Sequence, residues 1–269
     1  MKMNTLIKKI QTQRLEQTKL RQQLQFRERT FLACTLAFIL NGSAFAANFG
    51  VSPLRVELSD RQLSGALTLR NEGAEPAVVQ VQVMKWSQKD GRDHYAPTTE
   101  VLATPPVFTI KNGAAQIVRI GMRRGLDPDQ ELSYRIFLQE IPMPQKEGET
   151  GAKIALRIGL PIFVSPLAVR RTDVRWDLIN TTSTGMTVRA TNAGNVHTQI
   201  LGFKVLEASQ PKPVSSTQDA AYLLPGQTRN WTLTGPPHLG ADPIRLELRT
   251  DLGEQQVAVN GVRLENAGM

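Results

Sequence analysis

The stretch from Ala152 to Pro166, AKIALRIGLPIFVSP, restricts the fold more than any other part of the chain. Ile154, Leu156, Ile158, Leu160 and Ile162 occupy every second position, so an extended strand carries them on one face. The other face holds Ala155, Arg157, Gly159, Pro161 and Phe163. Pro161 lacks the amide that a central strand needs, and the preceding QKEGETG is polar and glycine-rich. The pattern predicts an edge strand over 152–164, entered from a loop. An apolar edge is a template for pairing with another chain, so something has to cover it.

Short alternating runs separated by turns dominate the remainder. Val51, Leu54, Val56 and Leu58 compete for two faces, which predicts a switch of phase near Pro53. GALTLRNEG (65–73), AVVQVQVMKW (77–86), VFTI (107–110), AQIVRI (115–120) and LSYRIFLQEI (132–141) read as strands. Asp90-Gly91 and Lys111-Asn112-Gly113 read as turns. About seven strands in this span fit an antiparallel immunoglobulin-like sandwich. After Pro166 a second set follows, with turns at Thr184-Gly185 and Asn192-Ala193-Gly194 and a loop at 209–221. The expected fold is all-β: two immunoglobulin-like sandwiches, 47–166 and 167–269, in an angled, L-shaped pair with a cleft between them.

The formal charge of +8 is concentrated at the start of the chain. Residues 1–30 carry a net +6, which leaves +2 for the rest, so no extended phosphate-binding surface and no nucleic-acid partner is implied. The basic opening leads into FLACTLAFIL (31–40) and then Ala44-Phe45-Ala46. These are the parts of a secretory signal over 1–46, with cleavage expected after Ala46. The apolar run is shorter than the roughly 20 residues a spanning helix needs, so the mature chain is not expected to insert in a membrane. Cys34 lies within that run and is the only cysteine. The mature chain therefore has no disulfide, thiolate metal site or cysteine nucleophile.

The residues offer little catalytic chemistry. His94, His197 and His238 are isolated, and DGRDH (90–94) lacks the oxygen spacing of a calcium loop. There is no G-x-S-x-G, phosphate loop or dinucleotide fingerprint. Glu140 beside Arg135 reads as a structural ion pair, and His197 as a loop histidine. No enzyme activity, metal or cofactor is expected.

WSQKDGRDHY, VLATPPVFTIKNGAAQIVRI, LSYRIFLQEIP and ALRIGLPIFVSP occur in the order and spacing of the periplasmic pilus-assembly chaperones of the chaperone–usher class. Thr104-Pro105-Pro106-Val107, Val118-Arg119-Ile120, Tyr134-Arg135 and Glu140-Ile141-Pro142 carry this resemblance, which covers most of the first sandwich. Met84-Lys85-Trp86 and Leu160-Pro161-Ile162-Phe163 are similar to the archaic branch. The resemblance implies that the chain lends a strand to a pilin-like subunit lacking one, through Ile154, Leu156, Ile158 and Leu160, and delivers it to an outer-membrane usher. It implies Arg55 as an anchor for the subunit's terminal carboxylate. Pro161 stands where the second anchor, a lysine, is expected, with Arg157 as a substitute four residues away. It places Thr104, Pro105, Pro106, Val107 and Arg119 on an usher-facing surface. It also puts Glu140 and Asp251 in a cross-domain ion cluster whose arginine is replaced by Ser165. Self-capping as a homodimer stays open, as does the alternative of a surface-structure subunit or adhesin with two such sandwiches.

Overall fold

The computed structural model describes residues 49–142, 154–182, 185–207, 210–234 and 243–259. The expected signal segment and its cleavage point lie outside them. Every regular element described is a strand. In the first sandwich these are β1 (Phe49–Ser52), β2 (Val56–Leu58), β3 (Ser64–Asn71), β4 (Ala77–Lys89), β5 (Arg92–Pro97), β6 (Val101–Thr104), β7 (Val107–Ile110), β8 (Ala115–Met122), β9 (Leu132–Ile141) and β10 (Arg157–Val164). One sheet has the order β1-β3-β8-β6, and the facing sheet the order β2-β10-β9-β4-β5, with β7 also on β4. The phase switch expected near Pro53 is a change of sheet: β1 pairs antiparallel with β3, whereas β2 pairs parallel with β10.

Period-two alternation explains which side chains meet. Leu67 and Leu69 of β3, Val79 and Val81 of β4, Val118 and Ile120 of β8, and Tyr134, Ile136 and Leu138 of β9 all point inward to one core. Asn71 closes β3 as a buried polar cap. Its side chain accepts from the Gly73 amide at 2.9 Å and donates to the Glu75 and Ile110 carbonyls at 2.7 and 3.2 Å. Asp90-Gly91 forms the β4–β5 hairpin with both residues at positive φ, which the Asp-Gly pair tolerates. Strand β5 was not legible in the sequence. All six of its residues are exposed, so no apolar alternation marks it.

The second sandwich comprises β11 (Val174–Thr182), β12 (Gly185–Asn192), β13 (Thr198–Glu207), β14 (Ser215–Thr217), β15 (Ala221–Leu223), β16 (Thr228–Thr234), β17 (Ile244–Thr250) and β18 (Gly253–Val259). Its sheets are β11-β12-β16 and β14-β13-β17-β18, with β15 on β13. Trp176 and Trp231 stack at 6.0 Å in its core, and Phe203 meets both rings edge-on at 5.5 Å. Asn192 repeats the Asn71 device. It accepts from the Gly194 amide and donates to the Val196 and Leu223 carbonyls.

The described residues of both sandwiches fall in one compact unit, and the loop 192–197 joins the sandwiches within it. Glu131 donates its amide to the Asn195 carbonyl at 3.0 Å, while the Asn195 side chain donates to the Asp129 and Val169 carbonyls, each at 3.1 Å. His197 does not lie in an open loop as expected. It is buried, hydrogen-bonded to Glu131 at 2.7 Å, and its ring stacks on Phe163 at 3.5 Å. Trp86, Phe163, Tyr222 and Leu224 complete an apolar cluster across the joint. Burying a paired His and Glu there is tolerable because both also have a second polar contact: the His197 amide donates to the same carboxylate, and His197 Nε2 lies 3.9 Å from Asp251.

Candidate functional site

Strand β10 has one neighbour along its whole length and another along only part of it. Strand β9 pairs with it from Arg157 to Val164, whereas β2 covers only Ile162 to Val164. Among the described residues no strand pairs with the other side of Arg157–Pro161. The Glu140 amide donates to the Leu156 carbonyl at 2.9 Å, so Leu156 and, by alternation, Ile158 and Leu160 direct their backbone groups toward β9. Arg157 and Gly159 then offer theirs to the open edge. Pro161 belongs to this outward set, so its missing amide costs no ladder bond. The Ser165 amide, further along the same set, donates to Leu58 of β2.

The apolar row changes environment along its length. Ile154 is 75% exposed, Leu156 and Ile158 are half-buried, Leu160 is only 6% exposed and Ile162 is sealed. Leu160 packs in the sandwich's own core. That corrects its expected place among the lent side chains, because a residue already filling this core has no free face for a partner. Three residues, Ile154, Leu156 and Ile158, remain to present apolar surface beside the open edge.

The opposite face of β10 meets arginines and rings. Arg157 lies 4.1 Å over Phe137, which meets Tyr95 edge-on at 5.3 Å. Arg135 sits directly across the ladder from Pro161 and reaches over Trp86 at 4.8 Å. A side chain on Gly159 would lie 3.5 Å from Arg135 Nε and 3.0 Å from the Phe137 ring, so glycine there leaves room for both. Arg135 does not pair with Glu140, contrary to the sequence reading. The Glu140 carboxylate instead accepts the Leu156 amide at 3.2 Å. Among the described residues Arg135 forms no ion pair.

Arg55 stands just ahead of β2, at the end of the open edge. Its Nε is 2.9 Å from Glu57 and its Nη1 3.1 Å from Asp251 of the second sandwich. Its charge and that of Arg135 also act on the Tyr222 hydroxyl. Burial nevertheless holds the Tyr222 pKa above its ordinary value, the two arginines opposing it. The cross-domain acids are therefore Asp251 and Glu131, not Glu140, and His197 bridges them where Ser165 has no charge to offer. Sequence reasoning missed Glu131 and marked Arg135 only as an ion-pair partner of Glu140. The one available signal was that Tyr134, Ile136 and Leu138 take the inward positions of β9, which leaves Arg135 and Phe137 on its outer face.

The Thr104–Val107 segment crosses from the β6 sheet to the β7 sheet. Thr104 pairs with Arg119 across the β6–β8 ladder, and the Pro106 carbonyl accepts the Val81 amide at 2.8 Å. Thr104, Pro105, Gln116, Ile117 and Arg119 line a shallow open hollow of about 270 Å³. Leu102, Val107 and Ile117 are half-exposed. The structure thus brings Thr104, Pro105 and Arg119 to one hollow. Nearby, Tyr134 donates its hydroxyl to Glu100 at 2.7 Å, and Arg124 adds a contact at 2.9 Å. Together with Lys85, these partners hold the Glu100 carboxyl below its ordinary range, the tyrosine hydroxyl most of all. Among the described residues no group of three His, Cys, Asp or Glu side chains could hold a metal ion.

The fold defines a class of two-sandwich β proteins in which the first sandwich leaves part of its last strand without a partner. Residues 48–170, the span of the first sandwich and the start of its joint, match the family described as pili and flagellar-assembly chaperone, PapD N-terminal domain. The family is one of chaperones, not of enzymes. A curated relative, the chaperone protein PapD of Escherichia coli, is 26% identical over 148 residues, which cover 54% of this chain and 59% of that protein. The match therefore spans rather more than half of the relative's length. Among solved structures, a chain from the CsuC–CsuE chaperone–tip adhesion subunit pre-assembly complex of the archaic Csu pili of Acinetobacter baumannii superposes with a TM-score of 0.60 and 19% identity, covering 81% of this chain and 100% of that one. A chain from the Salmonella enterica SafA pilin–SafB chaperone complex gives 0.59 and 20%, covering 82% and 100%. These likenesses are of fold.

Proposed function

We propose that this chain is a periplasmic chaperone that binds, folds and caps fibre subunits by lending them the edge of β10, and that it delivers them to an outer-membrane usher. The observation that carries this reading is the open edge of β10 at Arg157–Pro161, with Ile154, Leu156 and Ile158 beside it. A partner that adds a strand there gains backbone pairing from Arg157, Gly159 and the Pro161 carbonyl, and covers three apolar side chains. A fully exposed side chain that becomes buried contributes roughly 1.5–3 kcal/mol. Scaled by the share still exposed, three quarters of Ile154 and at most about a third of Leu156 and of Ile158, the three contribute about 2–4 kcal/mol before the cost of association. The process needs no nucleotide or cofactor, because the energy comes from surface burial.

The arginines set the direction of the guest. Strand β2 runs parallel to β10 and occupies the same slot from Ile162 onward. A guest that continues this slot in the parallel sense ends with its C-terminus facing Arg55. In the antiparallel sense it would bring its N-terminal amine there. Arg55 and Arg135 favour the carboxylate, with Arg135 supplying from β9 the cation that β10 lacks at Pro161. Arg157 lies further from this end and over Phe137, so it contacts the guest's backbone flank. The hollow at Thr104, Pro105 and Arg119, with Pro106 and Val107 at its margin, is the surface for the usher.

The test is capture. An exported β-rich subunit encoded beside this gene is expected to co-purify with the chain, and Leu156→Asp with Ile158→Asp is expected to abolish capture while both sandwiches stay folded. Undiminished capture by the folded double variant would overturn the reading.

A further inference from the structure

We propose that Asp251 is an internal competitor for Arg55, so that the second sandwich sets how strongly the site discriminates a guest with a free C-terminal carboxylate. The inference rests on the strand-capture reading and adds a specificity-determining residue to it. Arg55 is only 36% exposed and touches two carboxylates, Glu57 at 2.9 Å and Asp251 at 3.1 Å. Counting the guanidinium and its two acids, the local charge is −1, so an arriving carboxylate meets repulsion as well as attraction. Arg135 differs, since its described contact is the face of Trp86. The two arginines near one end of the slot are thus unequal: one is free to take an anion, and the other is already engaged.

Asp251 is built to survive an exchange. Its Oδ1 accepts the Gln199 amide at 3.1 Å, and its Oδ2 lies 3.9 Å from His197 Nε2 in addition to the Arg55 contact. When Arg55 turns to a guest, the carboxylate keeps a backbone donor and an adjacent imidazole, so no orphaned acid is left behind. Glu57 sits on β2, about half exposed, and needs no replacement partner. The guest's carboxylate therefore takes the place that Asp251 holds in the free protein, and the resting contact weakens the guest's by the strength of one partly exposed ion pair.

The experiment uses a synthetic peptide of alternating valine and threonine, long enough to pair from Ile154 to Pro161, with an N-terminal lysine for solubility. It is made once with a free C-terminal carboxylate and once as the amide. The readout is the ratio of the two affinities for the full chain by calorimetry, with folding checked by circular dichroism. Asp251→Asn keeps the acceptor for Gln199 and is expected to raise the carboxylate-to-amide ratio about fivefold, the upper end for releasing such a pair. Adding Arg55→Met is expected to remove that gain. A ratio that is unchanged or lower in folded Asp251→Asn, or a gain that persists without Arg55, overturns the competition. Should Asp251→Asn not fold, Glu57→Gln on its exposed side chain is expected to move the ratio in the same direction, and no movement there overturns it equally. If neither peptide binds the wild-type chain, or if binding survives Leu156→Asp with Ile158→Asp, the strand-capture reading itself fails and this inference falls with it.

Discussion

Two substitutions in the same apolar row, six residues apart, are expected to have opposite effects. Ile154 precedes β10 and Leu160 lies within it, and although both belong to the same alternating apolar row, Ile154 is 75% exposed and Leu160 only 6%. Ile154→Ala removes about three methylene equivalents at ~0.8 kcal/mol each, and scaling by the exposed share gives a loss of ~1.8 kcal/mol in guest binding. That corresponds to a roughly 20-fold weaker affinity. The free protein gives up little, since Ile154 barely contributes to its core. Leu160→Ala deletes the same kind of surface from inside the sandwich and should cost about 2–5 kcal/mol of folding stability. Its effect on guest affinity, per folded molecule, should be small. Titration with the alternating valine–threonine peptide gives the affinities, and urea unfolding gives the stabilities. The reasoning is refuted if Ile154→Ala binds the peptide within twofold of wild type. It is refuted equally if folded Leu160→Ala loses as much affinity as Ile154→Ala.

Three further outcomes follow from particular contacts. Glu100 is held below its ordinary value of 4.5, so its stabilisation is complete above that value and is lost as pH falls through the lower folded-state value. Glu100→Gln should therefore lower stability at neutral pH and flatten its acid dependence, measured by thermal unfolding from pH 7 down to 3. Gly194→Ala would place a carbon 2.3 Å from the Arg171 carbonyl and 2.9 Å from the Asp173 amide, both backbone atoms that cannot swing aside. It should cost about 1–3 kcal/mol and raise amide exchange in the loop 192–197. His197→Ala leaves Glu131 buried with fewer partners and removes the ring stacked on Phe163, so it should destabilise by about 1–3 kcal/mol. His197→Gln, which keeps a polar side chain, should recover part of that loss in the same unfolding assay.

The strands and their inward faces were legible wherever alternation was apolar, because a strand's two-residue period is set by its own backbone. Leu67 and Leu69, Val79 and Val81, and Tyr134 to Leu138 show this. Strand β5 was hidden because none of its residues is buried. The open side of β10 was also anticipated from Pro161, since a missing amide is tolerated only where no neighbour needs it.

What the sequence by itself determined is therefore the all-β character, the apolar row from Ile154 to Ile162, and the placement of Pro161 on an edge. What only the tertiary structure decided is where that row stops being available, which residue faces Pro161 across the ladder, and how the sandwiches are tied. Leu160 is withdrawn into the core by the sheet packed opposite, and Arg135 reaches the site through the β9–β10 register. His197 finds Glu131 across 66 residues of chain and lies near an Asp251 that also holds Arg55. The physical reason is that a periodic pattern reports which way a side chain points relative to its neighbours in sequence. Ion pairs and stacks between separate sheets depend instead on how two finished surfaces meet, and no local repeat encodes that.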